Sequence, residues 1–514
     1  MRDDEGVMTR LSLLLLLAGC MSGPYGARPV QRKDACAPQP PPASGTESYG
    51  RFRDNRFHFA ATHPLSTFSI DVDTASYANV RRFLNDGRMP PVDAVRIEEL
   101  VNYFPYDYAP PADGAPFAVR VDAARCPWAD DHRLVRISLK AGDRAARCRP
   151  PANLVFLLDV SGSMADTNKL GLVKGAMRLL VKELGAEDRV AIVTYRDHEE
   201  LALPATRGDR HKAILRAIDG LDAHGRTNGG AGIDLAYRVA EDGFRRGGAN
   251  RVILATDGDF NVGVTDGGDL ARLIEEKARG GVFLTVLGFG EGNLKDATLE
   301  SLADRGNGAY AYVDTLDEAR KILVEEAAGT LLTVAKDVKV QVEFNPARVA
   351  SYRLLGYENR ALQAEDFNDD REDAGEMGAG HGVTALYEVI RGGVGGRPAV
   401  DPLRYEGACE EGGERAAPGD ELLYVKVRWK EPRAETSRRI SVPLLDGPCG
   451  EPEGDFRFAA AVACWGLLLR ESEDRGCASY GLVRRLASSA QGGDAGGYRE
   501  EFLSLVQESR ELAP

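Results

Sequence analysis

Asp159-Val160-Ser161-Gly162-Ser163 places three oxygen-bearing side chains at alternate positions, and Thr227 and Asp257 add a hydroxyl and a second carboxylate further along the chain. A tight loop aims alternate side chains at one point, and Gly162 relieves the turn. Carboxylate, hydroxyl and water oxygens suit hard cations, and Mg²⁺ in particular takes one or two carboxylates and keeps several waters. The candidate chemistry is therefore the binding of one divalent cation, Mg²⁺ first, with Mn²⁺ and Ca²⁺ as alternatives. A shell this poor in carboxylates leaves the ion some positive charge, which attracts a carboxylate from outside.

Five such residues can act together only if the surrounding elements bring them to one place. Leu154-Val155-Phe156-Leu157-Leu158 is too short for a globular helix and apolar on both sides, as a strand in the middle of a parallel sheet must be. Asp159 is thus expected at a strand's carboxyl end, the edge where open α/β sheets bind ligands. Val252-Ile253-Leu254-Ala255 ends the same way at Thr256-Asp257-Gly258, so two carboxylates are expected to emerge from neighbouring strands. Leu170, Val173, Met177, Leu180 and Leu184 recur at helical spacing, and Arg189 to Tyr195 reads as a strand. Helices around Ile214 and Ile218, Ile233 to Val239, Leu270 to Ala278 and Glu318 to Glu326 alternate with strands Val282 to Leu287 and Ala309 to Val313. Such alternation predicts a doubly wound, mostly parallel α/β sheet over residues 151–330.

Asp-x-Ser-x-Ser with a distant Thr, here in Gly225-Arg226-Thr227-Asn228-Gly229-Gly230, and a distant Asp resembles the metal-ion-dependent adhesion site of the von Willebrand factor type A family. All five positions of that pattern are filled. The resemblance implies a Rossmann-like fold and metal ligation by Asp159, Ser161, Ser163, Thr227 and Asp257. It also implies a protein partner that supplies Asp or Glu to the metal.

With 514 residues and 43% hydrophobic residues the chain is long enough for several packed domains. Its formal charge of −14 argues against nucleic acid or an anionic membrane surface as the main partner. Leu11 to Leu17, ending in Leu17-Ala18-Gly19-Cys20, is far too short to span a bilayer and looks like a bacterial lipoprotein signal. That resemblance implies cleavage before Cys20, lipidation of its thiol, and a lipid-anchored protein of the cell envelope, at the outer membrane or facing the periplasm. Met1 to Val7 is acidic, unlike the usual basic start of such signals, and Met8 offers a second start. Residues 21–62 form a Pro- and Gly-rich tether that includes Pro38-Gln39-Pro40-Pro41-Pro42. An oxidising compartment permits disulfides; Cys126 with Cys148 and Cys409 with Cys449 each bracket a strand, but connectivity does not follow from spacing.

Residues 63–150 read as an α+β flank with strands Phe117 to Ala123 and Leu134 to Leu139. After residue 330 the period changes to two: Val338, Val340, Val342 and Phe344, then Leu423, Val425, Val427 and Trp429, predict a mainly antiparallel β domain over 331–450. Residues 451–514 read as a helical segment, with Phe458, Val462, Trp465 and Leu469 on one stripe. Ser69 to Tyr77 before the type A region and Gly378 to Glu388 after it are similar to a bacterial family of secreted type A lipoproteins, over about residues 63–510.

Two enzymatic readings compete with binding. Asp71-Val72-Asp73-Thr74 is similar to the nucleophile motif of haloacid-dehalogenase-type phosphatases, yet helices and an antiparallel pair follow where that fold needs its own sheet. A metal-dependent hydrolase or phosphatase needs a general base, and His224 is the nearest in sequence. Gly288-Phe289-Gly290-Glu291-Gly292 lacks the spacing of a dinucleotide loop. The acidic stretch Glu365 to Glu376 lacks the spacing of a helix-loop-helix Ca²⁺ site. The expectation is a non-enzymatic, metal-dependent adhesion or scaffold protein.

Overall fold

Chain order in the computed structural model begins with β1 (His58–Phe59), β2 (Leu65–Ser69), α1 (Ala75–Asn85), α2 (Ile97–Asn102), β3 (Phe117–Arg125) and β4 (His132–Ala141). The structure describes residues 47–513 apart from 71–72, 113, 143–149, 228, 259–266, 327–328, 330–331, 372–373, 393–418 and 433. All of them belong to one of the chain's two compact units, Gly45–Pro514.

A doubly wound unit follows: β5 (Ala152–Asp159), α3 (Leu172–Lys182), β6 (Arg189–Tyr195), β7 (Glu199–Arg207), α4 (His211–Asp219), α5 (Gly229–Asp242), β8 (Ala249–Thr256), α6 (Gly267–Arg279), β9 (Phe283–Phe289), α7 (Asp296–Arg305), β10 (Tyr310–Val313) and α8 (Leu316–Arg320). Its strand order is β10-β9-β8-β5-β6-β7, parallel except for β7 against β6. Every residue of the central β5 is buried. Leu154, Phe156 and Leu158 pack with α3 and α4, while Val155 and Leu157 face α5 and α7, so alternate side chains serve opposite layers.

The remaining elements are β11 (Thr333–Phe344), β12 (Val349–Leu355), β13 (Ala361–Leu362), β14 (Gly375–Gly378), β15 (Gly382–Arg391), β16 (Glu421–Lys430), β17 (Ser437–Leu445), α9 (Gly454–Leu469), α10 (Tyr480–Ser488) and α11 (Tyr498–Leu512). They do not form units of their own. β2 pairs with β11, Phe68 opposite Val340, and β4 pairs with β15, Ile137 opposite Ala385. Two antiparallel sheets result, β1-β12-β15-β4-β3 and β13-β2-β11-β16-β17, packed over a shared core that includes Phe68, Ile137, Val340, Phe344, Tyr387 and Val425. The other face of the first sheet is covered by α1, α2 and α9–α11, where Leu134 and Leu386 meet Trp465, Phe458 and Phe502. The doubly wound unit is thus an insertion between β4 and β11 of a β-sandwich. Period-two segments announce strands but not partners hundreds of residues away, so the interleaving of the two flanks is a finding of the structure.

Buried arginines bind the inserted unit to the rest. Arg96, at the start of α2 and 2% exposed, holds Glu99 of its own helix at 2.6 Å and reaches Asp296 and, at 2.9 Å, Glu300 of α7. Arg81 of α1 donates to Asp314 at 2.8 Å and Glu318 at 2.7 Å. Asp73 accepts from the backbone N–H of Tyr310 at 2.8 Å and from Arg360 at 3.2 Å, and is committed to this junction. Asp369 and Asp370 of the acidic stretch pair with Arg371 and Arg428.

Cys20, Cys36, Cys148, Cys409, Asp71 and Asp373 lie outside the described residues, and with them the signal segment and one member of each bracketed cysteine pair. Among the described residues Cys126, Cys449, Cys464 and Cys477 form no disulfide with one another. Among the described residues no helix is long and apolar enough to cross a membrane.

Candidate metal centre

β5 and β8 are adjacent and parallel, with Leu158 opposite Ala255, so the residues ending them emerge side by side. Asp159 and Asp257 are both 0% exposed. The backbone N–H of Ser161 donates to Asp159 Oδ1 at 2.8 Å, which folds the motif turn back over the strand end. Ser161 Oγ and Ser163 Oγ lie 3.0 Å apart, and Thr256 Oγ1 is 3.5 Å from Asp159 Oδ2. Ser163 also bonds the Asp257 carboxylate. Four of the five sequence-predicted oxygens are therefore in one cluster.

Thr227 is half-buried on the loop that closes over this turn. Gly162 N–H donates to Gly225 O at 3.0 Å and His224 N–H to Val160 O at 2.9 Å, while Arg226 N–H donates to Asp197 at 3.1 Å. Gly225 sits at φ +84, and a Cβ there would collide with Asp197 at 2.3 Å, so glycine is required for the close approach. The structure brings the Thr227 loop against the motif turn and, among the described residues, shows no hydrogen bond between the Thr227 side chain and the other four.

The two carboxylates have opposite electrostatic fates. Burial pushes Asp159 up to about 6, an effect that the Ser161 hydrogen bonds oppose and the nearby charge of Asp257 reinforces. Burial also works to raise Asp257, but hydrogen bonds from Asn293, Lys169 and Ser163 and the Lys169 charge bring it below the ordinary carboxylate range. Lys169 Nζ stands 2.9 Å from Asp257 Oδ2 and 3.3 Å from Asn293 Oδ1.

Lys169 and Asn293 escape the sequence reading. Lys169 lies in a single π-helical turn, Thr167–Gly171, just ahead of α3. Asn293 follows Gly292 at the carboxyl end of β9, the same sheet edge. The Gly288–Gly292 stretch is the one signal that could have drawn attention there, and its use is local: Gly290 O accepts from Tyr312 OH at 2.8 Å, and Gly292 N–H donates to Glu47 at 2.6 Å. An N-terminal arm is fixed beside this loop, Ser48 N–H donating to Leu294 O at 2.9 Å and accepting at its carbonyl from Asp296 N–H at 3.2 Å. His224 is exposed, and its ring lies against the Arg196 guanidinium.

Two buried carboxylates at neighbouring strand ends and two hydroxyls 3.0 Å apart on the adjoining turn fit a hard divalent cation, since like charges buried together favour an added positive charge. Among the described residues no three His, Cys, Asp or Glu side chains converge as a metal cage, because the remaining donors at this edge are hydroxyls.

Three family models match the chain: "von Willebrand factor" over residues 43–136, "von Willebrand factor type A domain" over 153–325, and "Uncharacterized protein YfbK, C-terminal" over 329–512. A type A domain points to a protein-binding or adhesion scaffold. Inter-alpha-trypsin inhibitor heavy chain H4 of Homo sapiens is 29% identical over 36% of this chain and 21% of its own length. Among solved structures, a von Willebrand factor type A protein from Catenulispora acidiphila matches 76% of this chain and 89% of that one with a TM-score of 0.43 and 16% identity. The uncharacterized protein YfbK of Escherichia coli (strain K12) is 46% identical over 90% of this chain and 81% of its own length. A match of that extent, joined to models for the type A domain and for both flanks, means that the chain belongs to the YfbK family of von Willebrand factor type A proteins.

Proposed function

We propose that the chain is a metal-dependent protein-binding module of the bacterial cell envelope, anchored by lipid at Cys20, with no chemical step of its own. The observation that carries this reading is the pair of fully buried carboxylates, Asp159 and Asp257, at the ends of neighbouring parallel strands, with the Ser161 and Ser163 hydroxyls 3.0 Å apart on the turn that follows Asp159. Asp159, Ser161, Ser163, Thr227 and Asp257 would hold the ion, Mg²⁺ before Mn²⁺ or Ca²⁺. When bound, such a cation supplies a Lewis-acidic position that an Asp or Glu of a partner protein can fill. The chain's own residues orient and neutralise: the Ser161 amide fixes Asp159, and Lys169 and Asn293 fix Asp257. Binding is favoured over hydrolysis because His224, the base that the sequence offers, faces the cationic Arg196 at the surface.

Capture of envelope proteins by the full chain, with and without chelator, tests the reading. Wild type is expected to retain a partner that chelator releases and that Thr227→Ala and Asp257→Ala fail to retain. Capture that persists in chelator, or metal-dependent turnover of phosphate or ester substrates that Asp257→Ala loses, would overturn it.

A further inference from the structure

Lys169 is 6% exposed, and its ammonium is inserted into the sheet edge between Asp257 and Asn293. The surroundings are shaped for it. Gly290 is at φ +75, and a Cβ there would stand 2.4 Å from Lys169 Cε and 2.5 Å from Cγ, so only glycine leaves room for the stem. The Tyr312 hydroxyl fixes the Gly290 carbonyl, and the π-helical turn Thr167–Gly171 presents the lysine from the other side. Two chain segments far apart in sequence thus cooperate to hold one positive charge against one predicted metal ligand.

The formal charges show what that does. Asp159, Asp257 and Lys169 sum to −1, and a divalent cation would bring the cluster to +1. A neutral residue at 169 would make these −2 and 0. We propose that Lys169 is the specificity-determining residue of this site: its charge weakens cation binding, and in exchange leaves the loaded site net positive, which selects a carboxylate over a neutral ligand. This rests on the cation-site reading above. The lysine acts as a resident counter-charge, so loading is poised and the acidic group of the partner completes a neutral cluster.

The test titrates MgCl₂ alone into the full chain by calorimetry for wild type, Lys169→Met, Lys169→Gln and Lys169→Arg. A short glutamate peptide and its glutamine counterpart are then titrated into each Mg²⁺-saturated protein. Both neutral variants are expected to bind Mg²⁺ at least about tenfold more tightly than wild type, because a cation no longer meets a like charge a few ångströms away. They are also expected to lose the preference for the glutamate peptide, whereas Lys169→Arg keeps both wild-type properties. Lys169→Gln retains a donor for Asp257 and serves if Lys169→Met does not fold. Folded neutral variants that bind Mg²⁺ as wild type does, or more weakly, would overturn the proposal while leaving the cation site intact. Absence of Mg²⁺ binding in wild type and in both folded neutral variants would overturn the site reading and the proposal together.

Discussion

Replacing Arg96 by Met removes the guanidinium that faces Glu99, Asp296 and Glu300 and leaves an apolar chain of similar length in its place. All four side chains are at most 7% exposed, so the carboxylates cannot turn to water for compensation. Removing one partner of a buried ion pair costs about 3–5 kcal/mol. Glu300 moderates the loss: burial pushes it up to about 8 even with Arg96 beside it, so it takes up a proton near neutral pH. Without Arg96 its pKa rises further. A carboxyl whose folded pKa lies above its unfolded value binds more protons in the folded state, so stability falls as pH rises between the two values. Wild type already shows that fall up to about pH 8, so the further rise in Arg96→Met makes its deficit grow above about pH 8. Urea unfolding followed by tryptophan fluorescence measures it, since Trp128 and Trp465 lie in the adjoining helical core. Neutralising the orphans as well, in Arg96→Met/Asp296→Asn/Glu300→Gln, should recover most of the loss. A deficit under about 1 kcal/mol, one indifferent to pH, or a triple variant no more stable than the single would refute the reasoning.

Asp159→Ala should weaken Mg²⁺ binding more than Ser163→Ala, because carboxylates balance the ion's charge and a lost hydroxyl can be replaced by water; calorimetry reads the order directly. Phe502 meets Phe104, Phe458 and Trp465 with ring centroids 5.2–5.6 Å apart, so Phe502→Ala should cost about 3–5 kcal/mol in denaturant unfolding. Cys20→Ser should release the chain from the membrane fraction, or leave it unprocessed, and equal retention at high salt would count against a lipid anchor.

The central strands and both carboxylates were legible because each ends an apolar run, and a strand buried on two faces leaves that mark in the sequence. β7 left none: it opens on Glu199-Glu200 at the sheet's rim and is largely exposed. α7 was hidden for the opposite reason, since its buried side carries Asp296 and Glu300 beside Leu299 and Ala303, and carboxylates matched to Arg96 read locally as a polar loop. Lys169 and Asn293 are single polar residues in turns with no periodicity to expose them. The pairing of β2 with β11 depends on residues more than 260 positions apart, such as Phe68 and Val340, and local pattern carries no address for a partner.

The arm at Glu47 and Ser48 has a mechanical consequence. Tension applied to the chain ahead of residue 47 meets first the bonds from Glu47 to Arg82 and Gly292 and the parallel bridge of Ser48 with Lys295, not the sandwich core. Those bonds hold the loop that carries Asn293, the neighbour of Asp257 and Lys169. A force entering the fold at residue 47 would thus be delivered within a few residues of Asn293 and the buried Lys169–Asp257 pair.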